Sequence, residues 1–143
     1  MNIALIIAGG SGNRMGQDIP KQFIHVNNCP IIVYTMLAFQ KHPDISAIAV
    51  VCLGGWETVL ASYAHQYNVT KLRWVFPGGT SGQESIRNGI YGLRNNDVKN
   101  NDLVLIHDAV RPLVSQSIIS SNIATCQHYG YAITGVRCQE DIL

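Results

Sequence analysis

The feature that most constrains this chain is an apolar run that leads directly into a glycine-rich loop. Residues 3–8 are all apolar, which is typical of a strand buried on both faces in the parallel sheet of an α/β domain. The loop that follows carries glycines and cations: Gly9, Gly10, Gly12, Arg14 and Lys21. A backbone without Cβ atoms can approach a ligand closely, and cations attract anions. The stretch therefore indicates a phosphate-binding site.

Two common phosphate loops do not fit the spacing. A P-loop requires G-x-x-x-x-G-K-[ST], but Gly16 is followed by glutamine and aspartate. The dinucleotide fingerprint G-x-G-x-x-G requires a glycine where Met15 stands. The second predicted strand also ends, at residues 50–53, without the acidic residue that would hold a ribose. These differences argue against a Walker-type NTPase and against a Rossmann dehydrogenase.

The rest of the sequence alternates predicted strands and helices. Apolar runs predict buried strands over residues 45–53, 72–76 and 103–107, and a last strand over 131–136. Helical spacing of apolar residues predicts helices over 30–42, about 56–67, 81–93 and 115–129. Pro30 is expected in the first turn of its helix, and Gly130 at the end of the last one. This alternation predicts a single α/β domain over residues 1–143.

A second motif, G-G-T-S-G-Q-E-S, begins at Gly78. Ser81 and Glu84 have the S-x-x-E spacing of a capping box, which predicts a helix start with free N–H groups. The positive end of that helix dipole can hold an anion or a carbonyl-rich base. An ordinary capped helix remains the alternative for this motif taken alone.

A third motif, H-D-A-V-R-P, follows the strand predicted to end at His107. Ligands of open α/β sheets bind beyond the carboxyl ends of the strands, so Asp108 is expected to face the same crevice as the first loop. Mg²⁺ is usually held by one or two carboxylates together with substrate phosphates, which makes Asp108 the candidate metal ligand. The alternative is that Asp108 caps a helix and Arg111 is a surface cation. His107 is interpreted as scaffolding and not as a catalyst.

Composition narrows the possible partners. The net charge is +1 and the ten cations are scattered, which argues against nucleic acid and favours a small substrate. No apolar run approaches the ~20 residues of a membrane span and no signal sequence is evident, so a cytoplasmic location is expected. The cysteines lack zinc-site spacing and are expected to be reduced thiols: Cys29, Cys52, Cys126 and Cys138.

The loop motifs together resemble the polyol-phosphate cytidylyltransferases. In this family a loop A-[AG]-G-x-G-x-R-M is followed by P-K-Q-[FY]; residues 8–15 and 20–23 match both parts. The segments beginning at Gly78 and His107 resemble the family's G-G-x-x-R-x-x-S-V and H-D-[AS]-[AV]-R-P. The family's arginine position in the former is Gly82 here. The resemblance covers the whole chain but about the first three fifths of the family's length, so a C-terminally truncated form is expected.

The resemblance implies a three-layer, mostly parallel Rossmann-like sheet of the nucleotidyltransferase type and a set of site residues. The expected catalytic residues are Arg14 and Lys21, and Asp108 is expected to bind Mg²⁺. Nucleotide binding is expected at Ala8, Gly9, Gly10, Ser11, Gly12, Gly78, Gly79, Ser85, Ala109 and Arg111. The family also implies a homodimer, formed through an arm that lies beyond the matched part.

The implied reaction transfers CMP from CTP to a polyol phosphate and releases pyrophosphate. 2-C-methyl-D-erythritol 4-phosphate is slightly favoured over ribitol 5-phosphate, although Trp56 after two glycines resembles the ribitol branch. An inactive CTP-binding chain, and a nucleotidyltransferase that uses UTP or GTP and a sugar 1-phosphate, remain as alternatives. Residues 141–143 stand in the place of the family's D-T-[IVM] tripeptide, with isoleucine instead of threonine.

Overall fold

The computed structural model describes residues 1–10 and 18–137, and it has the expected α/β architecture. The strands are β1 (Asn2–Ala8), β2 (His25–Val26), β3 (Cys29–Pro30), β4 (Ala47–Cys52), β5 (Leu72–Pro77) and β6 (Leu103–Asp108). The helices are α1 (Ile31–Gln40), α2 (Glu57–Gln66), α3 (Gly82–Arg94) and α4 (Gln116–Tyr129), with a 3₁₀ turn at Lys21–Phe23. Four strands form one parallel sheet in the order β5-β4-β1-β6.

The sheet is the middle of three layers. Its two central strands, β1 and β4, are the continuous apolar runs of the sequence, and β4 is buried along its whole length. Side chains from α1, α2 and α4 pack on one face of the sheet, around residues such as Ile6 and Val50. The face that includes Leu5 and Val51 is covered by α3, through Ile90 and Leu93. The fold class expected from the sequence is confirmed.

Local capping signals mark the starts of α3 and α4 and the end of α4. The Oγ of Ser81 accepts a hydrogen bond from the Glu84 amide, and the Oγ of Ser115 accepts one from the Ile118 amide, both at 3.1 Å. Gly130 ends α4 in the left-handed conformation with φ 88°. Pro30 lies just before α1, in the extended conformation, and not in its first turn as expected. No helix in the described ranges is long and apolar enough to cross a membrane.

A short hairpin was missed by the sequence analysis. β2 and β3 pair antiparallel around Asn27 and Asn28, which both have positive φ, 52° and 63°. Two consecutive residues in this conformation are typical of a type I′ hairpin turn, and asparagine tolerates it better than most residues. The Asn-Asn pair was therefore the available signal.

The prediction of a last strand over residues 131–136 is wrong. Residues 131–137 are irregular, and Ile133 and Val136 are 90% and 95% exposed. Part of this segment lines a cavity of about 1000 Å³ along β6 and does not pair with that strand. β6 is consequently an edge strand of the described sheet, and Ile106, expected to be buried, is 49% exposed. The apolar pattern was suitable for a strand, but residues 131–137 make no strand pairing with β6.

The close packing of helix α3 on the sheet depends on a glycine at residue 89. A Cβ atom at Gly89 would lie 2.8 Å from methyl carbons of Leu5 and Val51, which are both fully buried. We predict that Gly89→Ala lowers the free energy of unfolding by about 1 kcal/mol, because overpacking costs about 1–3 kcal/mol and exceeds the gain in helix propensity. Urea denaturation measures the change.

Gly82→Ala is the matched control. Position 82 lies in the same helix, and a Cβ atom there meets no atom within 4 Å. Its stability is expected to be unchanged or slightly higher. Equal stability of the two variants would contradict the close helix–sheet packing.

Candidate functional site

The strand register brings the carboxyl ends of four strands together. Ala8 lies opposite Cys52, and Cys52 lies opposite Pro77. On the other side of β1, Asp108 lies opposite Ile7. The loops that follow these strands therefore leave the sheet from one edge, which is where ligands bind in open α/β folds. We call this edge the rim.

Two glycine-bearing loops touch at the rim. A Cβ atom on Gly78 would lie 3.0 Å from the Cα of Gly9 and 3.2 Å from the carbonyl oxygen of Cys52. A Cβ atom on Gly9 would lie 2.7 Å from the Oγ of Ser85. The first and second motifs are thus in direct backbone contact, and a larger residue at either position would crowd that contact.

The start of α3 holds the second motif in a fixed shape. The Oγ of Ser85, which is 3% exposed, accepts a hydrogen bond from the Gly79 amide at 3.0 Å. The Glu84 carboxylate accepts from the hydroxyl of Thr80 and, at 2.9 Å, from its amide. It bonds to Thr80 and not to Ser81, so the expected capping box is only half formed. These hydrogen bonds, first that of the Thr80 hydroxyl, lower the pKa of Glu84.

Gln22 ties the segment of Lys21 to the first loop. Its side-chain amide is 3% exposed and donates to the carbonyl oxygens of Ala8, at 2.8 Å, and Gly10, at 3.0 Å. Two carbonyls at the end of β1 therefore fix the 3₁₀ turn that carries Lys21. Lys21 itself is exposed.

The third motif is held against β1 and α1. The Ala109 amide donates to the carbonyl of Ile7 at 3.0 Å, and the Ala109 carbonyl accepts from the Thr35 hydroxyl at 2.7 Å. Ala109 is buried, so its observed role is to support the loop. The His107 ring donates to the carbonyl of Arg111 at 2.9 Å and packs edge-on against Phe39. These contacts fit the interpretation of His107 as scaffolding.

The charged groups of the rim make no ion pair with described residues. The one ion pair found within residues 1–10 and 18–137 lies away from these groups and joins the N-terminal amine to Asp102 at 2.7 Å. Lys21, Arg111 and Asp108 are all exposed. Two cations and one carboxylate without an ion pair among the described residues suit a ligand that carries both phosphates and a metal ion. The predictions for Ser11, Gly12 and Arg14 concern residues outside the described ranges.

Asp108 fits the requirements of a Mg²⁺ ligand. One carboxylate oxygen, Oδ1, accepts from the Val110 amide at 3.1 Å, which orients the group. The other oxygen makes no hydrogen bond within the described part of the chain. No cluster of three or more histidine, cysteine, aspartate or glutamate side chains able to hold a metal occurs among the described residues. A Mg²⁺ ion held by this single carboxylate would take its other ligands from water and from phosphate oxygens.

Two other features, an apolar cavity and a buried cysteine thiol, take no part in the phosphate and metal binding expected at the rim. The cavity along β6 is lined mainly by apolar side chains, among them Val104 and Ile118, and touches the rim only through residues 107 and 110–112. Cys52 is fully buried, and burial, with a smaller effect of the Glu57 charge, raises its thiol pKa to about 11. A neutral buried thiol is not a nucleophile. Cys29 and Cys126 are also free thiols.

Sequence reasoning missed two side chains that organise the rim. Gln22 was noticed as part of a motif, but its bonds to two carbonyls were not expected. Phe23 stacks on Trp56, with ring centroids 4.7 Å apart. Both contacts join segments distant in the sequence, and the only available signal was the presence of a polar and an aromatic residue directly after Lys21.

Comparisons with known proteins identify relatives along the whole chain. The family model "IspD: 2-C-methyl-D-erythritol 4-phosphate cytidylyltransferase" matches residues 2–142. A ribitol-5-phosphate cytidylyltransferase of Lacticaseibacillus paracasei is 43% identical over 99% of this chain and 60% of its own length. A 2-C-methyl-D-erythritol 4-phosphate cytidylyltransferase of Clostridium botulinum is 38% identical, with the same coverage of 99% and 60%.

Solved structures support the fold. A crystal structure of 4-diphosphocytidyl-2C-methyl-D-erythritol synthase superposes with a TM-score of 0.73 at 22% identity, covering 90% of this chain and 55% of that one. The corresponding synthase of Anaerococcus prevotii gives 0.68 at 24% identity, covering 88% and 51%. The chain thus spans about 60% of the length of the curated relatives that it matches.

The contacts of Gln22 predict that a substitution at this position makes the stability of the protein depend on pH. Gln22→Glu replaces a buried donor by an acceptor that faces the carbonyls of Ala8 and Gly10. We expect the ionised variant to lose roughly 3 kcal/mol of stability. Burial beside two carbonyl oxygens raises the pKa of the introduced carboxyl group above its unfolded value of about 4.3, so the loss is full above the raised pKa and shrinks as the pH falls through it.

Urea unfolding at pH 8 and pH 5 tests this expectation, with Gln83→Glu as the control. Gln83 is exposed in the first turn of α3, where a negative charge is tolerated. A stability difference between Gln22→Glu and the natural chain that is equal at both pH values would contradict the proposed contacts.

Proposed function

The chain belongs to the IspD family of cytidylyltransferases, and on that premise we propose that it transfers CMP from CTP to a polyol phosphate and releases pyrophosphate. The observation that carries the proposal is the meeting of the three motifs at the rim. Gly9 touches Gly78 and Ser85. Gln22 ties the Lys21 turn to the end of β1. Asp108, at the end of β6, lies opposite Ile7 of β1 in the sheet. The longer relatives carry the same activities in their names.

The reaction is a displacement at phosphorus. A phosphate oxygen of the polyol phosphate attacks the α-phosphorus of CTP, the new P–O bond forms, and the bond to the bridging oxygen of pyrophosphate breaks. Negative charge accumulates on the phosphoryl oxygens and on the leaving group. Catalysis consists of bringing two anions together and neutralising this charge, and it requires no covalent intermediate with the protein.

The residues of the chain take separate parts in this step. The amides of the first loop bind phosphate oxygens, and Lys21, with Arg14, neutralises the charge on the α-phosphate and on pyrophosphate. The glycines at 78 and 79 let the backbone approach the cytosine, while Ser85 holds the nucleotide. When bound at Asp108 and the phosphates, Mg²⁺ supplies further positive charge. Arg111 completes the cationic side of the rim.

The acceptor that we favour is ribitol 5-phosphate. The sequence alone slightly favoured 2-C-methyl-D-erythritol 4-phosphate, and relatives with each name match this chain. The ribitol-named relatives of Lacticaseibacillus paracasei and Vibrio parahaemolyticus are 43% and 44% identical to it, compared with 38% for the methylerythritol-named relative. The position of Trp56 after two glycines, a pattern that resembles the ribitol branch, agrees with this choice. We further propose a cytoplasmic location and a homodimer.

Pyrophosphate release with CTP and each polyol phosphate is the test of the reaction. Higher kcat/KM with ribitol 5-phosphate supports the favoured acceptor, and higher kcat/KM with methylerythritol phosphate assigns the chain to the other branch. Binding of CTP in calorimetry without any pyrophosphate release would instead identify an inactive nucleotide-binding chain. A preference for UTP or GTP would overturn the assignment to CTP.

We predict that Lys21→Ala lowers kcat/KM by about a hundredfold or more, because a preorganised electrostatic donor is lost. The fold is expected to remain intact, since the Lys21 side chain is exposed and makes no hydrogen bond within the described residues. Lys41→Ala, which removes an exposed lysine at the end of α1, is the control and keeps its activity. Near-normal turnover of Lys21→Ala would count against the proposed chemistry.

A further inference from the structure

We propose that Trp56 is a positioning residue for Lys21, acting through a stack on Phe23. This inference rests on the proposed function, because it deepens the role given there to Lys21. Trp56 follows the two glycines after β4, far from the Lys21 turn in sequence. The rings of Phe23 and Trp56 nevertheless lie 4.7 Å apart with an angle of 22° between their planes. This is the geometry of a stacked aromatic pair.

Trp56 is itself held in place by the backbone. The Leu53 amide donates to the carbonyl of Ala8 at 3.1 Å, and the Trp56 amide donates to the carbonyl of Leu53 at 3.1 Å. The Trp56 carbonyl accepts from the Leu60 amide at 2.9 Å in the first turn of α2. The indole therefore projects from a turn that is tied both to the end of β1 and to a helix.

Phe23 transmits this fixed position to the turn that carries Lys21. The Phe23 ring is 2% exposed, so its place in the core is defined by its neighbours. The Phe23 amide donates to the carbonyl of Pro20 at 2.9 Å, and the Ile24 amide donates to the carbonyl of Lys21 at 3.2 Å. These two bonds close the 3₁₀ turn around Lys21.

The turn is consequently held from two sides. Gln22 fastens it to the carbonyls of Ala8 and Gly10, and the Phe23–Trp56 stack fastens it to the segment after β4. The Lys21 side chain has a limited length, so the location of its backbone restricts which phosphates the ammonium group can reach. A displacement of about 1 Å can cost about a hundredfold in rate, which makes the second attachment relevant to catalysis.

The first experiment is a double-mutant cycle in which kcat and the KM for CTP are measured separately. We expect Trp56→Leu to lower kcat by tenfold or more, and Trp56→Phe to retain activity within about threefold, because a phenyl ring preserves the stack. In the Lys21→Ala background, Trp56→Leu is expected to change the residual rate by less than about twofold, since residues that act through one another are not additive.

Trp74→Leu is the matched control. Trp74 also packs against the core, but on the opposite face of the sheet, with α3. Its substitution is expected to lower stability without lowering kcat at temperatures where the protein is folded. If Trp56→Leu costs the same factor with and without Lys21, or raises only the KM for CTP, the positioning role is overturned.

A second readout needs neither ligand nor turnover. Trp56→Leu is expected to accelerate hydrogen exchange at the Phe23 and Ile24 amides by about tenfold, while the Leu60 amide in α2 changes less. Unchanged protection of Phe23 and Ile24, or an equal change at all three amides, overturns the inference. Absence of pyrophosphate release from the natural chain would refute the proposed function, and hydrogen exchange would still decide whether Trp56 holds the turn.

Discussion

The structure depends on the parallel pairing of β1 with a neighbour on each side. This pairing places Ala8, Cys52, Pro77 and Asp108 at one edge of the sheet. The three motifs are separated by dozens of residues in the sequence, and they share a site only because the register of the sheet aligns the ends of the strands. A shift of one residue in the register of β1 would turn its side chains to the opposite faces of the sheet and disrupt the hydrophobic cores on both faces.

Close backbone contact at the rim has a chemical consequence. Since Gly9 and Gly78 approach so closely that a Cβ atom on either would crowd the other's backbone, the two loops bring their backbones together at the rim. The neighbouring charged side chains, Lys21, Arg111 and Asp108, make no ion pairs with described residues and remain available to a ligand. Fixed dipoles with available charges suit the proposed phosphoryl transfer, in which preorganisation takes the place of covalent catalysis.

The sequence predicted those parts whose signals are local. Continuous apolar runs identified β1 and β4, and the serines before α3 and α4 marked where the helices begin. The failed strand at residues 131–136 had the right composition, but composition does not report whether a segment pairs with the strand beside it, and this one does not pair with β6. Gln22 and the Phe23–Trp56 stack were not foreseen, because each joins segments that only the folded sheet brings together.

The central claim is that the three loops surround one nucleotide. Titration of the ¹⁵N-labelled chain with CTP and Mg²⁺, followed by amide chemical shifts, tests it most directly. The account predicts that Gly9, Gly79 and Val110, one amide from each loop, shift together with one apparent Kd, while amides at the opposite end of the sheet do not. Shifts confined to one loop, or different dissociation constants for the three loops, would contradict it.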